Sequence, residues 1–497
     1  TEPVIALKGT GGADRTEISE VTFKLVDSNG NDLASRTVNF ELSTSVGGIT
    51  LGTASAITNA SGEVTTSVLS GSIATPVRVI ASSEEDVDGS TVIVTAPSDI
   101  LVVSTGIADQ NSFSLSRSIF NPHALNVDGN TVAVNARLAD HFNNPVPDGT
   151  AVTFITEGGV IEPSCVTTSG TCSVTWTSSN PRPFTDSMYE NSITQKCDGG
   201  LPCPLGILNN DLTVDLPLGG RATVHAYAIG EETFSDLNGN GYFDSEDFFD
   251  DLFDIPEAFI DNNEDGTYGG KDCNNGTDPC SRDNSTGDEF EEFVDFDGNG
   301  AWTTQNGLYN GLLCREEDEI AGICSRQMVN VFQNQEIVMS GDTAFFRLVT
   351  YADDCSAIVG ASASEVRVNS DPTSPLVRRS QNDVTSQLMC QVDSIDLTQT
   401  ATGTSSLSLT VFIADIYNNP MPAETTISIS TDNGILIGTD SYTYPNTTSI
   451  VPVGLSFGIT REDLDGGNEQ FSGFLTISAE APSGLETTLS INVTDDL

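Results

Sequence analysis

Positive charge is what this sequence has least of. Its 497 residues contain 19 Lys and Arg, only four of them Lys, against 71 Asp and Glu, a formal net charge of −52. A duplex-binding protein needs a basic face to displace counterions from phosphates, and 19 scattered bases do not make one. Anionic membrane surfaces repel such a chain for the same reason. No apolar run approaches the roughly 20 residues of a spanning helix. There are three His, at 123, 141 and 225, in separate strands or turns and in no metal-ligand spacing. His225, between Val224 and Ala226, reads as a surface or strand-edge residue. No G-x-S-x-G, P-loop or helix-opening G-x-G-x-x-G is found, and no C-x-x-C pair, which removes the usual hydrolase, nucleotide, zinc-ribbon and thioredoxin-like signatures. The acidic pair Glu231/Glu232 is the nearest thing to a glycosidase dyad, and carboxylate separation is not readable from sequence. The chain reads as no enzyme.

What is present is a hydrophobic fraction of 37% with 23 Phe, enough for cores, over a length that suggests about three domains. Three stretches repeat: "LVDSNGNDLASRTVNFEL" from Leu25, "LADHFNNPVPDGTAVTFI" from Leu138 and "IADIYNNPMPAETTISIS" from Ile413. Each is a strand ending in Asp (Asp27, Asp140, Asp415), a polar turn and a second strand, with a Gly-rich turn 18 to 20 residues later. Val21/Phe23/Leu25, Val132/Val134/Ala136/Leu138 and Leu407/Leu409/Val411/Ile413 alternate with period 2, as half-buried strands do. Short strands with frequent turn signals predict an all-β chain: three tandem Ig-like antiparallel β-sandwiches in an elongated array, over 1–97, 98–342 and 343–497. The strand "GRATVHAYAIG" finds its partner only in "RQMVNVFQNQEIVMSG" from Arg326, so residues 231–325 are expected as a loop-rich insertion in the second domain.

These Asp-turn segments, the Gly turns, and "TNASGEVTTSVLSG" with its counterpart "TTSGTCSVTWTSS" resemble the group 1 bacterial immunoglobulin-like repeats of the invasin and intimin type. The resemblance implies a rod of tandem domains on a bacterial surface.

Ten Cys, at 165, 172, 197, 203, 273, 280, 314, 324, 355 and 390, fall as neighbours 7, 6, 7, 10 and 35 apart. Sequential pairing is one of many connectivities. Cys165 and Cys172 flank a turn that aligns with Ile57 and Val64, where cross-strand Cβ atoms lie about 5 Å apart, so that pair has the strongest support. Local bridges point to an oxidising, extracellular compartment. Thr1 is not an initiator, which implies processing of the chain.

The acids are uneven. From Glu231 to Asp297 there are 22 acids and two bases, a net of −20 in 67 residues. Three segments there have calcium-loop spacing, alternate positions of a curled loop offering the six to eight oxygens that Ca²⁺ takes. "DLNGNGYFDSED" offers Asp236, Asn238, Asn240, the carbonyl of Tyr242, Asp244 and Asp247. "DNNEDGTYGGKD" offers Asp261, Asn263, Asp265, the carbonyl of Thr267 and Asp272. "DFDGNGAWTTQN" offers Asp295, Asp297, Asn299 and the carbonyl of Ala301, but has Asn306 at its last ligand position. The loops resemble those of EF-hands and dockerins, except that a strand precedes the first and Asp replaces the bidentate Glu. Two or three structural Ca²⁺ are expected, with Phe243, Phe248, Phe249, Leu252, Phe253 and Phe259 free to form a small core around them. The functional expectation is a non-catalytic extracellular or cell-surface adhesion protein that binds a protein or glycan. A self-assembling filament subunit is the alternative, in which further copies of the chain are the partner. A carbohydrate-binding accessory role ranks third.

Overall fold

The computed structural model describes residues 3–11, 15–87, 90–183, 219–261, 268, 291–367, 376, 378–379, 385–398, 406–449, 452–461 and 470–496. The fold is all-β, built from antiparallel sandwiches, with one short α-helix, Glu316–Ile320, among the described residues.

The first unit holds β1 (Val4–Ala6), β2 (Ile18–Lys24), β3 (Thr37–Leu42), β4 (Thr50–Leu51), β5 (Ser55–Ile57), β6 (Glu63–Leu69), β7 (Thr75–Val77), β8 (Val79–Val87), β9 (Ser90–Pro97) and β10 (Leu101–Ser104). They form sheets in the orders β2-β6-β4, β5-β3-β8-β9 and β1-β10-β7. Period-2 alternation places Val21, Val38, Phe40, Val64, Val68 and Val79 between the layers. Ile57, the counterpart of a half-cystine, is exposed while Val64 is buried, so this hairpin carries no packed pair where the second unit carries a covalent one.

The second unit has β11 (Ala108–Asp109), β12 (Phe113–Arg117), β13 (Thr131–Leu138), β14 (Ala151–Thr156), β15 (Val160–Ile161), β16 (Ser164–Val166) and β17 (Thr171–Thr177). It is completed by β18 (Arg221–Glu231) and, beyond the two-stranded pair β19 (Tyr309–Asn310) and β20 (Cys324–Ser325), by β21 (Val329–Val338). One sheet runs β12-β13-β17-β15; the other runs β11-β18-β14-β16 with β21 on β18. β18 and β21 pair from Arg221↔Val338 to Gly230↔Val329, so residues 232–328 are looped out of one continuous hairpin ladder without disturbing its register. Trp176, fully buried, fills the centre and donates its indole N–H to the Gly158 carbonyl at 2.8 Å.

The third unit comprises β22 (Phe345–Ala352), β23 (Ala361–Glu365), β24 (Leu388–Asp396), β25 (Ser406–Ala414), β26 (Thr426–Thr431), β27 (Ile435–Gly438), β28 (Ser441–Thr443), β29 (Val453–Thr460), β30 (Gln470–Glu480) and β31 (Glu486–Asp496). All ten join in one folded sheet, closed by parallel pairing of β24 with β31 at Ile395↔Val493. The Cys355–Cys390 bridge ties the start of the enlarged β23/β24 excursion to β24.

Cys165–Cys172 and Cys314–Cys324 are also bonded; Cys197, Cys203, Cys273 and Cys280 lie outside the described residues. His225 is not at a surface. It is fully buried in β18, its Nδ1 2.6 Å from Asn334 Oδ1 and its ring against Tyr227 and Phe332, because both faces of this central strand are covered.

The insertion differs from expectation in where its apolar residues go. Phe234, Phe243, Tyr309, Leu313 and the Cys314–Cys324 bridge join the core of the first unit, with Ile5, Leu7, Leu101 and Val103, and Phe249 packs on the edge of that cluster. Phe248 and Leu252 are exposed. A lone loop of this length has little apolar area to bury within itself, and the open end of a neighbouring sandwich supplies the missing surface. A second patch, Phe259, Tyr268, Phe293 and Trp302, packs ring on ring farther out. Phe243→Ala is expected to cost about 3–5 kcal/mol, lowering the guanidinium midpoint of the first unit, while Phe248→Ala stays within about 0.5 kcal/mol; following unfolding of both variants checks this.

Candidate functional sites: the acidic insertion and the unit junctions

The first acidic loop curls as its spacing requires. Asp236 Oδ1 accepts the Gly239 and Asn240 N–H groups and its Oδ2 the Gly241 N–H at 2.8 Å. Gly239 and Gly241 sit at φ 73° and 78°, where a Cβ would be strained. The third loop repeats this: Asp295 Oδ1 accepts the Asn299 N–H, its Oδ2 the Gly300 N–H at 2.9 Å, and Gly298 and Gly300 have φ 71° and 77°. Tyr242 and Ala301 occupy the same place in the two loops, each donating its N–H to the side-chain oxygen of the Asn two residues back. In the second loop only Asp261 is described; Asn263, Asp265, Thr267 and Asp272 lie outside the described residues.

The loops differ in what they bring together. In the first, the Asp244 carboxylate takes the side-chain amides of Asn238 and Asn240 and stands 3.6 Å from the Arg315 guanidinium, while Asp247 accepts the Leu237 and Asp244 N–H groups. In the third, Asp295 and Asp297 are joined by Glu257, the three carboxylates offering oxygens within 4.8 Å of one another, the one such acidic group among the described residues. Glu257 precedes the loop by 38 residues, so no spacing pattern could include it. It is placed by accepting the Phe296 and Thr303 N–H groups at 2.8 and 2.9 Å. The loop weakest by spacing thus gathers the most charge, and the loop strongest by spacing has a competing arginine.

Other acids of the insertion are internal. Glu231 and Glu232, at the end of β18, are buried, and each holds returning main chain: Glu231 accepts from Leu312 N and the Tyr309 hydroxyl, Glu232 from Ile255 N and Asn310 N. Burial, with Asp109 nearby, pushes Glu231 up to about 7, and burial pushes Glu232 up to about 8. His141, stacked on Phe234, pairs with Asp109 at 3.2 Å; burial opposes its charge, and that pairing outweighs the cost and raises its pKa. This is a sealed structural cluster with no exposed carboxylate pair for a substrate.

The repeated Asp has a role that the repeat alone did not disclose. In each copy Oδ1 accepts two turn N–H groups: Asn29 and Asn31 for Asp27, Phe142 and Asn144 for Asp140, Tyr417 and Asn419 for Asp415. Three residues on, Gly30, Asn143 and Asn418 all have positive φ (85°, 62°, 63°). Oδ2 then reaches back to the preceding unit. Asp140 accepts the Ser104 hydroxyl, and Asp415 accepts the Gly341 N–H at 2.9 Å. Asp415 is further framed by Asn419, which takes Arg221 Nε at 3.0 Å and donates to the Gly219 carbonyl at 2.6 Å. Asp140 and Asp415 are fully buried, and burial raises both, Asp415 to about 7; Asp27 is solvated and the Asn31 amide holds it below its ordinary value.

No family model and no curated protein matches this chain. Among solved structures, it is similar to the D0-D1 domain of intimin (18% identity, 48% of this chain and 89% of that one, TM-score 0.19). It is also similar to invasin, a bacterial integrin-binding protein (12%, 98% and 59%, TM-score 0.23), and to the Escherichia coli adhesin FdeC (11%, 99% and 94%, TM-score 0.26). The chain spans about three fifths of the invasin structure. Likenesses this distant carry no functional weight.

A carboxyl raised from 3.8 to about 7 keeps its proton in the folded chain where the unfolded chain has lost it, so its contribution to stability falls as pH rises through that window. Asp415→Asn is therefore expected to flatten the decline in stability of the second–third junction between pH 4 and 7, read from denaturant midpoints across that range.

Proposed function

We propose that this chain is a non-catalytic extracellular protein of a bacterial cell surface, a stiffened rod of Ig-like sandwiches that presents a binding surface to a protein or glycan. The observation that carries this reading is the pair of junctions at Asp140 and Asp415, where a buried carboxylate of one sandwich is held by the end of the sandwich before it. Such a contact fixes the angle between units, which an enzyme has no need of and a spacer does. The three disulfides add covalent ties suited to an oxidising exterior. Binding of the rod to immobilised matrix proteins and glycans is the direct test; cleavage of a glycan by the chain would overturn the reading.

Structural calcium in the insertion belongs to the same proposal. The oxygen donor sets fit a hard cation: Asp295, Asp297, Asn299, the Ala301 carbonyl and Glu257 in the third loop, and Asp236, Asn238, Asn240, the Tyr242 carbonyl, Asp244 and Asp247 in the first, where Asp244 would leave Arg315. An ion there supplies charge neutralisation and no catalysis. Chelation is expected to lower the melting temperature of the insertion and open 231–325 to protease, since ion binding stabilises the folded state by mass action. Glu257→Ala should remove most of that chelator response while leaving the second unit folded, and an unchanged melt and digestion pattern with chelator would rule calcium out.

A further inference from the structure

The strand that ends in the repeated Asp can be compared across all three units. β13 pairs with β17 on one side and β12 on the other. β25 pairs with β29 and β22 in the same way. β2 pairs with β6 and, among the described residues, with no strand on its other side.

The covering strands agree in sequence and register. Phe113 lies opposite Leu138 and Leu115 opposite Ala136; Phe346 lies opposite Ile413 and Leu348 opposite Val411. Both are Phe-x-Leu, facing the positions two and four before the Asp. In β2 and just beyond it, those positions are Leu25 and Phe23. Both are half-buried, whereas Leu138, Ala136, Ile413 and Val411 are sealed. The next residue shows the gap most plainly: Val26 is 44% exposed, while Ala139 is 9% and Ala414 0%.

The main chain is aligned for a further ladder. Leu25 N donates to the Gly62 carbonyl, as Leu138 N does to Gly170, so these N–H groups face β6 and β17. The alternate N–H groups, of Thr22, Lys24 and Val26, turn to the open side; their counterpart Ala139 donates to the Ser112 carbonyl at 3.1 Å. Lys24, the one base on this edge, is drawn to Asp32 at 2.8 Å. An edge without a guard accepts an added strand.

We propose that the open edge of β2 is a docking site for an extended segment of a partner chain carrying Phe-x-Leu. The segment adds as an antiparallel strand, its Phe opposite Leu25 and its Leu opposite Phe23. A second copy of this chain is a poor donor, because its Phe-x-Leu segments in β12 and β22 are already built into ladders.

The test uses the full chain and a labelled synthetic peptide with the sequence of residues 110–119, QNSFSLSRSI. Saturable binding is expected, with slowed amide exchange over 18–26. Thr22→Pro removes one outward N–H at a place where an edge strand tolerates proline. It should weaken binding about tenfold; its unfolding midpoint reports that the sandwich is intact. A peptide N-methylated at its Ser114 tests the same bond without altering the protein, and a peptide with Ser for both Phe and Leu should not bind. Absence of saturable binding, or binding indifferent to Thr22→Pro and to N-methylation, would overturn the proposal. So would self-association of the chain alone that Thr22→Pro abolishes, since a second copy would then be the occupant.

Discussion

A carboxylate at the end of a strand, with one oxygen spent on its own turn and the other on the unit before it, sets how this chain is put together. The turn of each unit would form without its neighbour, as it does around Asp27. What Asp140 and Asp415 add is that the second oxygen, once buried, must find a donor or leave an unsatisfied polar group in the interior. Ser104 and Gly341 supply that donor from the preceding unit. Orientation between sandwiches is therefore specified by a polar requirement that tolerates few angles, where an apolar contact would tolerate many. The insertion extends the same logic: Glu231 and Glu232 leave the end of β18 and fix the returning chain by its N–H groups, which sets Phe243 and Tyr309 against the first unit.

How much of this is legible in the sequence depends on the range of each signal. Alternation along Val132–Leu138 or Leu407–Ile413 is local, and it places those strands and their buried faces. The Asp-turn repeat is local too, and all three turns have one geometry down to the positive φ three residues on. The Asp-turn motif contains one oxygen's partners and not the other's, because Ser104 and Gly341 lie 36 and 74 residues upstream. Glu257 is hidden for the same reason: a loop motif counts positions within twelve residues, and this carboxylate enters from 38 residues away. Arg315 escapes because a base in an acidic region reads as a balance of charge, when its effect depends on which acid it meets. Alternation misplaces His225, since it identifies one buried face and has nothing to say about a strand covered on both.

The extreme acidity also reads differently once residues have places. A count of 22 acids in 67 residues suggests a charged surface. Several of those acids are inside: Glu231, Glu232, Asp254 and Glu291 are buried. Glu231 and Glu232 are held near or above neutral pKa by burial, so part of their formal charge is absent at neutral pH. The remaining acids concentrate at the two described loops, where asparagine amides, main-chain N–H groups and one guanidinium already face them.

The parallel pairing of β1 with β10, from Val4↔Val102 to Ala6↔Ser104, has a mechanical meaning. These strands lie near the entrance and the exit of the first unit and run side by side in the same direction. Tension along the chain draws them in opposite senses, so the load falls on their hydrogen bonds in shear, and the bonds must yield together instead of opening one at a time as in a peeled hairpin. The third unit repeats the arrangement at β24 and β31. A sandwich fastened in this way resists being pulled far more than its equilibrium stability alone would indicate.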